Sequence, residues 1–243
     1  MLTGCNEAFI IDTAKRNEIL ENCKSDDERK RTEALIRPIL RGRDIKRYTY
    51  VNNGLWLINT HNGVKGKIPR IEIEDYPAIK EHLDQYWDKI KDRADQGDTP
   101  YNLRNCAYLD DFDQPKILWK RIGSILRFAY DERGYLGLDS TCLATGKHLL
   151  YLACVLNSDM GCYLLKDAQK TGTGDLLVSV QAMDPIRIPF KKEFEDRITA
   201  LWNRAVESRE PLIDKEINNL VYALYGLSKA EMSYVADFVT QFR

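Results

Sequence analysis

The stretch Lys116-Ile117-Leu118-Trp119-Lys120-Arg121-Ile122-Gly123-Ser124-Ile125-Leu126-Arg127-Phe128-Ala129-Tyr130 places two apolar runs of strand length on either side of a cationic turn. Working outward, Tyr135 to Thr145 reads as a further strand. Leu149 to Leu156 is apolar nearly all round and therefore reads as a core helix, continued after a break by Met160 to Leu165. Lys166 to Asp175 contains Thr171-Gly172-Thr173-Gly174 and reads as a loop; Leu176 to Val180 and Ile186 to Pro189 read as short extended segments. Upstream, Ala8 to Ile11 and Leu55 to Ile58 are compact apolar runs predicted as strands, the second preceded by the turn pair Asn53-Gly54. Ser25 and Glu28 have capping-box spacing and open a helix from Asp26 to Leu35 that Pro38 terminates. Pro77 suits the first turn of a helix predicted from Tyr76 to Ala94. Three amphipathic helices follow Phe190, so the chain divides into residues 1–190 and a C-terminal helical segment, 191–243, packed on it.

Composition narrows the chemistry. The 243 residues are 44% hydrophobic and 30% charged, with no apolar run of the ~18 residues a membrane span needs and no basic-then-apolar leader, so a cytoplasmic protein is expected. Six cysteines without a CxxC pair read as reduced thiols. Only His61, His82 and His148 occur, His82 reading as a surface residue beside acids, and no HExxH or paired Cys/His spacing points to a metal. P-loop and GxSxG patterns are absent, and carboxylate–x–lysine triplets such as Asp44-Ile45-Lys46 arise by chance in so charged a chain.

The net charge of −1 conceals segregation. Between Arg37 and Arg70 eight cations face the single Asp44, a balance of +7, whereas Glu72 to Asp98 carries nine acids against four cations, −5. Such a stretch either presents a positive face to a polyanion or forms a solvated face balanced by the acids folding against it.

Eight strings in order carry a family resemblance. They are Thr3–Ile11, Ile36–Ile45, Thr99–Arg104, Phe112–Ile117, Arg127–Asp131, Leu156–Ser158, Ile186–Pro189 and Leu220–Leu227. Together, from about Thr3 to Phe238, the chain resembles the TaqI-like C-terminal specificity domain of adenine-specific DNA methyltransferases, found in fused type IIG restriction-modification enzymes. The resemblance implies an α+β fold: a mixed or antiparallel β-sheet target-recognition domain with flanking helices and a C-terminal helical segment. It also implies sequence-specific recognition of double-stranded DNA. No Asn/Asp-Pro-Pro-Tyr/Phe motif is present, since Asp184-Pro185 continues into Ile186-Arg187. No catalytic residue and no cofactor are therefore expected in this chain. S-adenosylmethionine belongs to a methyltransferase domain, fused or separate, that would be its partner along with DNA.

Extruding an adenine for methylation costs a few kcal/mol, so a recognition domain must grip the neighbouring duplex. Lysine and arginine contacts to phosphates give affinity, and arginine's planar fork reads guanine edges. The candidate DNA contacts fall in three groups. Arg41, Arg43, Lys46 and Arg47 surround Gly42; Lys65 and Lys67 lie on the glycine-flanked loop; Lys120, Arg121 and Arg127 bracket the strand turn. With the last group goes Lys170 on the Lys170–Asp175 loop, both segments suiting insertion into a groove. Trp119 reads as core. The alternative function is a protein–protein module whose cations dock a methyltransferase or another acidic partner.

Overall fold

Two interleaved units make up the computed structural model, which describes residues 1–208 and 211–242. The first unit comprises residues 1–40, 52–114 and 133–139; the second comprises 41–51, 115–132 and 140–243. The boundary expected at 190/191 falls inside the second unit, and residues 209, 210 and 243 of the segment it would set off lie outside the described residues.

In the first unit, α1 (Asn6–Phe9), β1 (Ile10–Asp12), α2 (Thr13–Glu21), α3 (Asp26–Leu35), β2 (Ile36–Leu40), β3 (Leu55–Ile58), α4 (Pro77–Asp84) and α5 (Trp87–Ile90) follow one another. Ala8 and Phe9 close a helical turn on the Cys5 carbonyl, so the first strand begins only at Ile10. Strands β1 and β2 flank β3 in antiparallel register, and β7 (Leu136–Gly137) adds to β2 in parallel, giving a mixed sheet. Pro38 lies within β2, opposite Trp56, rather than merely closing α3. The predicted helix 76–94 breaks at Gln85–Tyr86, where the two amides bond to the carbonyls of His82 and Leu83, three residues back instead of four, and tighten the turn. Arg93 ties this unit together by donating to the carbonyls of Thr3, Ile90, Pro100 and Asn102 beneath the Phe9 ring. Burial pushes its pKa down to about 10, which leaves it charged near neutrality.

His82 corrects the sequence reading. It is buried on the inner face of α4, and its Nε2–H donates to the Ala8 carbonyl at 2.9 Å. A carbonyl only accepts, so this nitrogen must carry the proton.

The second unit is built on β4 (Lys116–Lys120), flanked antiparallel by β6 (Phe128–Asp131) and β8 (Thr141–Thr145), with β5 (Ile122–Gly123) between β4 and β6 in sequence. A central strand is covered on both faces, which explains the unbroken apolar run Ile117-Leu118-Trp119. Lys116 is also fully buried, its Nζ 2.5 Å from Asp131, which also accepts a hydrogen bond from Tyr50. Helix α6 (Leu149–Asn157) packs on β4 and β6, and its final residue clamps the sheet edge. Asn157 donates to the Phe128 carbonyl at 2.8 Å and accepts from the Phe128 amide at 3.0 Å, replacing a strand partner with a side-chain amide.

Then follow α7 (Asp159–Leu164), β9 (Leu176–Leu177), α8 (Val180–Met183), α9 (Lys192–Ser208), α10 (Pro211–Tyr225) and α11 (Lys229–Phe242). Their apolar stripes are used within the unit. Ile198 and Trp202 of α9, Ile213, Ile217 and Val221 of α10, and Val235 of α11 belong to its core, with Trp202 edge-on to Tyr48 at 5.3 Å. All six cysteines are free thiols. The whole is α+β, with the helices of the second unit concentrated after the strands.

Burial lowers the pKa values of both His82 and His61 below 6.5 in the folded chain. Between the lowered values and 6.5 the unfolded chain binds the extra protons, so stability falls as pH drops through that window. The urea midpoint should therefore decline on acidification below about pH 6.5. His82→Gln keeps a donor for the Ala8 carbonyl and should flatten part of that decline; an unchanged pH profile in the variant would contradict this account.

Candidate nucleic-acid interface

Strand β4 delivers the cationic turn. Its buried residues fix the backbone up to Trp119, whose indole N–H donates to the Val178 carbonyl at 2.7 Å; Lys120 and Arg121 then emerge exposed. The Val178 amide returns a bond to the Arg121 carbonyl at 2.8 Å, and β5 pairs antiparallel with β9, Ile122 opposite Leu177 and Gly123 opposite Leu176. Leu176 also bridges to Lys170, and the Leu177 amide donates to the Gln169 carbonyl. A narrow β-ribbon results: β5, β9 and the segment 169–170, side by side. The two segments favoured for groove insertion are thus neighbours in one ladder.

The tip of the ribbon is Thr171 to Asp175. The Thr171 amide donates to the Asp175 carbonyl and the Gly174 amide to the Thr171 carbonyl, at 2.8 and 2.9 Å. Gly174 has φ +86°, a conformation costly for residues with a Cβ.

A third segment joins through Ser140. Its carbonyl accepts from the Arg121 amide at 2.9 Å, while its hydroxyl accepts from the Gly42 amide at 3.0 Å. Gly42 is needed for that approach: a Cβ there would stand 2.8 Å from both the Ser140 carbonyl oxygen and Lys120 Cγ. The 3₁₀ turn Gly42–Asp44 therefore lies against the cationic turn and brings Arg43 to its side.

The sequence candidates separate by environment. Arg43, Lys120, Arg121 and Lys170 are exposed in the second unit, and Lys46 is half-buried with its Nζ on the Arg43 carbonyl. Arg127 is half-buried just before β6. Arg41 forks onto Asp44, two bonds of 2.9 Å, and the backbone amide of Arg41 completes the clamp, so this pair holds the 3₁₀ turn. Asp44 thus pairs with Arg41, and that hydrogen bond raises the guanidinium pKa. Arg47 points into the unit, donating to Asp214 at 2.6 Å, to the Asn157 carbonyl and to the Tyr48 hydroxyl. Lys65 and Lys67 are exposed in the first unit, Lys67 with Asp110 at 3.4 Å. Much of the +7 stretch is internally balanced: Arg37 by Asp113, Arg41 by Asp44, Arg47 by Asp214, and Arg70 by Glu72 and Asp98.

Two features escape sequence reading. Ser140 falls inside the run 135–145 read as one strand, whereas the structure splits that run into β7 and β8 and leaves Ser140 between them as a joint. A cavity of about 620 Å³ also opens beside the ribbon, lined among others by Arg121, Gln169, Leu177, Gln181 and Arg187. Among the described residues no group of three or more His, Cys, Asp or Glu could hold a metal ion, and no helix is long and apolar enough to cross a membrane.

Comparison with known proteins bears on this surface. A family model described as the TaqI-like C-terminal specificity domain matches residues 37–178, more than half of the chain, and those residues contain every segment of the ribbon and its joint. Among solved structures, the fold is similar, with TM-score 0.64 and 13% identity, to one described as the type IIL restriction-modification enzyme MmeI in complex with DNA. The match covers 99% of this chain and 34% of that one, so the chain spans about a third of the length of that enzyme. No curated protein matches.

The joint is testable by stability alone. Gly42→Ala forces a backbone oxygen to move and should cost about 1–3 kcal/mol in urea denaturation. Gly172→Ala, whose new Cβ meets nothing within 4 Å, should stay within about 0.5 kcal/mol of the parent. Equal losses from the two would remove the close approach from the account.

Proposed function

The chain belongs to the TaqI-like C-terminal specificity domain family, and from that premise we propose that it recognises a target sequence in double-stranded DNA for an N6-adenine methyltransferase of a type IIG restriction-modification system. The observation that carries this reading is the Ser140 joint, which holds the Gly42 turn that carries Arg43 against the Lys120–Arg121 turn, itself laddered to the Lys170 segment through β5 and β9. A similar fold has been captured with DNA, which supports the same reading.

Roles follow from environment. Lys120 and Lys170, exposed point charges, and Lys46, whose ammonium rests on the Arg43 carbonyl, suit phosphate contacts that set affinity and register. Arg121 and Arg43, exposed on ordered backbone, are the side chains suited to bidentate reading of guanine O6 and N7. Arg127, half-buried just before β6, is a further candidate DNA contact at the base of the turn. Arg41 and Arg47 act through structure, one holding the 3₁₀ turn and the other anchoring 41–51 to α10. Lys65 and Lys67 supply further phosphate contacts from the first unit. The chain performs no covalent step of its own. S-adenosylmethionine and the methyl transfer belong to the catalytic partner, and the pair works in the cytoplasm.

Replacing both Lys120 and Arg121 by glutamate should weaken duplex binding at least about tenfold and lower the slope of log affinity against log salt by about 1, the phosphate contact that Lys120 supplies. Circular dichroism confirms folding, and fluorescence anisotropy over about 50 to 200 mM salt reads the slope. Unchanged affinity in the folded double variant would overturn the assignment. Retention of an acidic protein with indifference to duplex would favour the docking module instead.

A further inference from the structure

The ribbon carries apolar side chains where a solvent-facing ladder would ordinarily be polar. Successive residues of a strand face opposite sides. Gly123 and its partner Leu176 are buried, so the other side, with Ile122 opposite Leu177, faces outward. Ile122 is 40% exposed, and Ile125, three residues on, is 44% exposed. Scattered exposed hydrophobics are normal on a protein surface. These two, however, sit within six residues of sequence that also hold Lys120 and Arg121, in a stretch, 117–130, that has three cations and no acid.

That charge pattern selects the occupant. A protein partner covering the isoleucines would have to bury the neighbouring cations or match each with an acid, whereas a duplex supplies a phosphate rim on either side of an uncharged groove floor. The major groove, about 12 Å wide, admits a β-ribbon. On its floor the one apolar group is the C5-methyl of thymine, and aliphatic side chains are its usual readers. Isoleucine is stiff at χ1, so little rotamer freedom is lost when it is held against a base.

We propose that Ile122 and Ile125 are specificity-determining residues that pack on thymine C5-methyl groups in the major groove, so that the target sequence includes thymine next to the bases approached by Arg121. This inference rests on the reading of the ribbon as the duplex-contacting element and adds the chemistry of the base it selects.

The experiment starts from a random duplex pool, from which the full chain selects its preferred sequence. Each thymine of that sequence is then replaced by uracil, which removes one methyl group and leaves every hydrogen-bonding edge in place. The chain should lose roughly fourfold in affinity at one or more positions, the worth of one buried methyl. An Ile122→Ala/Ile125→Ala variant should bind the thymine and uracil duplexes alike while keeping the parent's salt dependence, because its cations are untouched. Both residues are exposed, so the variant should fold like the parent. A preferred sequence without thymine, indifference to uracil at every position, or undiminished thymine preference in the variant would each overturn the inference while leaving duplex recognition standing. Selection of no sequence at all would overturn both.

Discussion

One serine joins the Gly42 turn to the cationic β4 turn of the second unit. Ser140 stands just before β8 and offers two acceptors in different directions, its carbonyl to the Arg121 amide and its hydroxyl to the Gly42 amide. Segments about a hundred residues apart in sequence, |i−j| = 98 for Gly42 and Ser140, are thereby held in contact. The bonds are individually ordinary, on the order of 1 kcal/mol each. Their effect is geometric: they fix the 3₁₀ turn against the β4 turn and its ribbon, so that less freedom remains to be lost on meeting a ligand.

Pre-organisation of this kind separates two tasks that cations perform on DNA. Phosphate binding tolerates mobile lysines, since counterion release rewards any charge near the backbone. Reading a base edge requires a side chain rooted on backbone that does not move, because a bidentate contact fails with a small misplacement. Arg121 meets that requirement, its amide donating to the Ser140 carbonyl and its carbonyl accepting from the Val178 amide. Lys170, one step from a glycine-containing tip, belongs to the other class. Counting cations along the sequence cannot make this distinction. The stretch from Arg37 to Arg70 has the higher density, but several of its cations are satisfied by acids nearby in the fold.

Legibility in the sequence followed the range of the forces involved. The buried strand around Leu118, the all-apolar helix α6 and the amphipathic C-terminal helices announce themselves because burial is written in local periodicity. The interruption of helix 76–94 was not legible, since its apolar spacing runs straight through Gln85 and Tyr86. The burial of His82 was hidden for a related reason: acidic neighbours in sequence say nothing about the Ala8 carbonyl waiting across the unit. The division of the chain into interleaved units was equally invisible, because it is set by which strands pair, such as β2 with β7, and not by composition. For the site, residue types were readable but their grouping was not. Glycine at position 42 carried a signal, a residue needed where backbones crowd, yet its partner could be named only from the fold.

Hydrogen–deuterium exchange on the full chain, with and without a random-sequence duplex pool at low salt, probes the central claim directly. If the surface joined at Ser140 grips the duplex, amides in 42–46, 120–125 and 169–178 slow together on adding DNA. Protection confined to the C-terminal helices or to the first unit, with those three segments exchanging as in the free chain, would contradict the account.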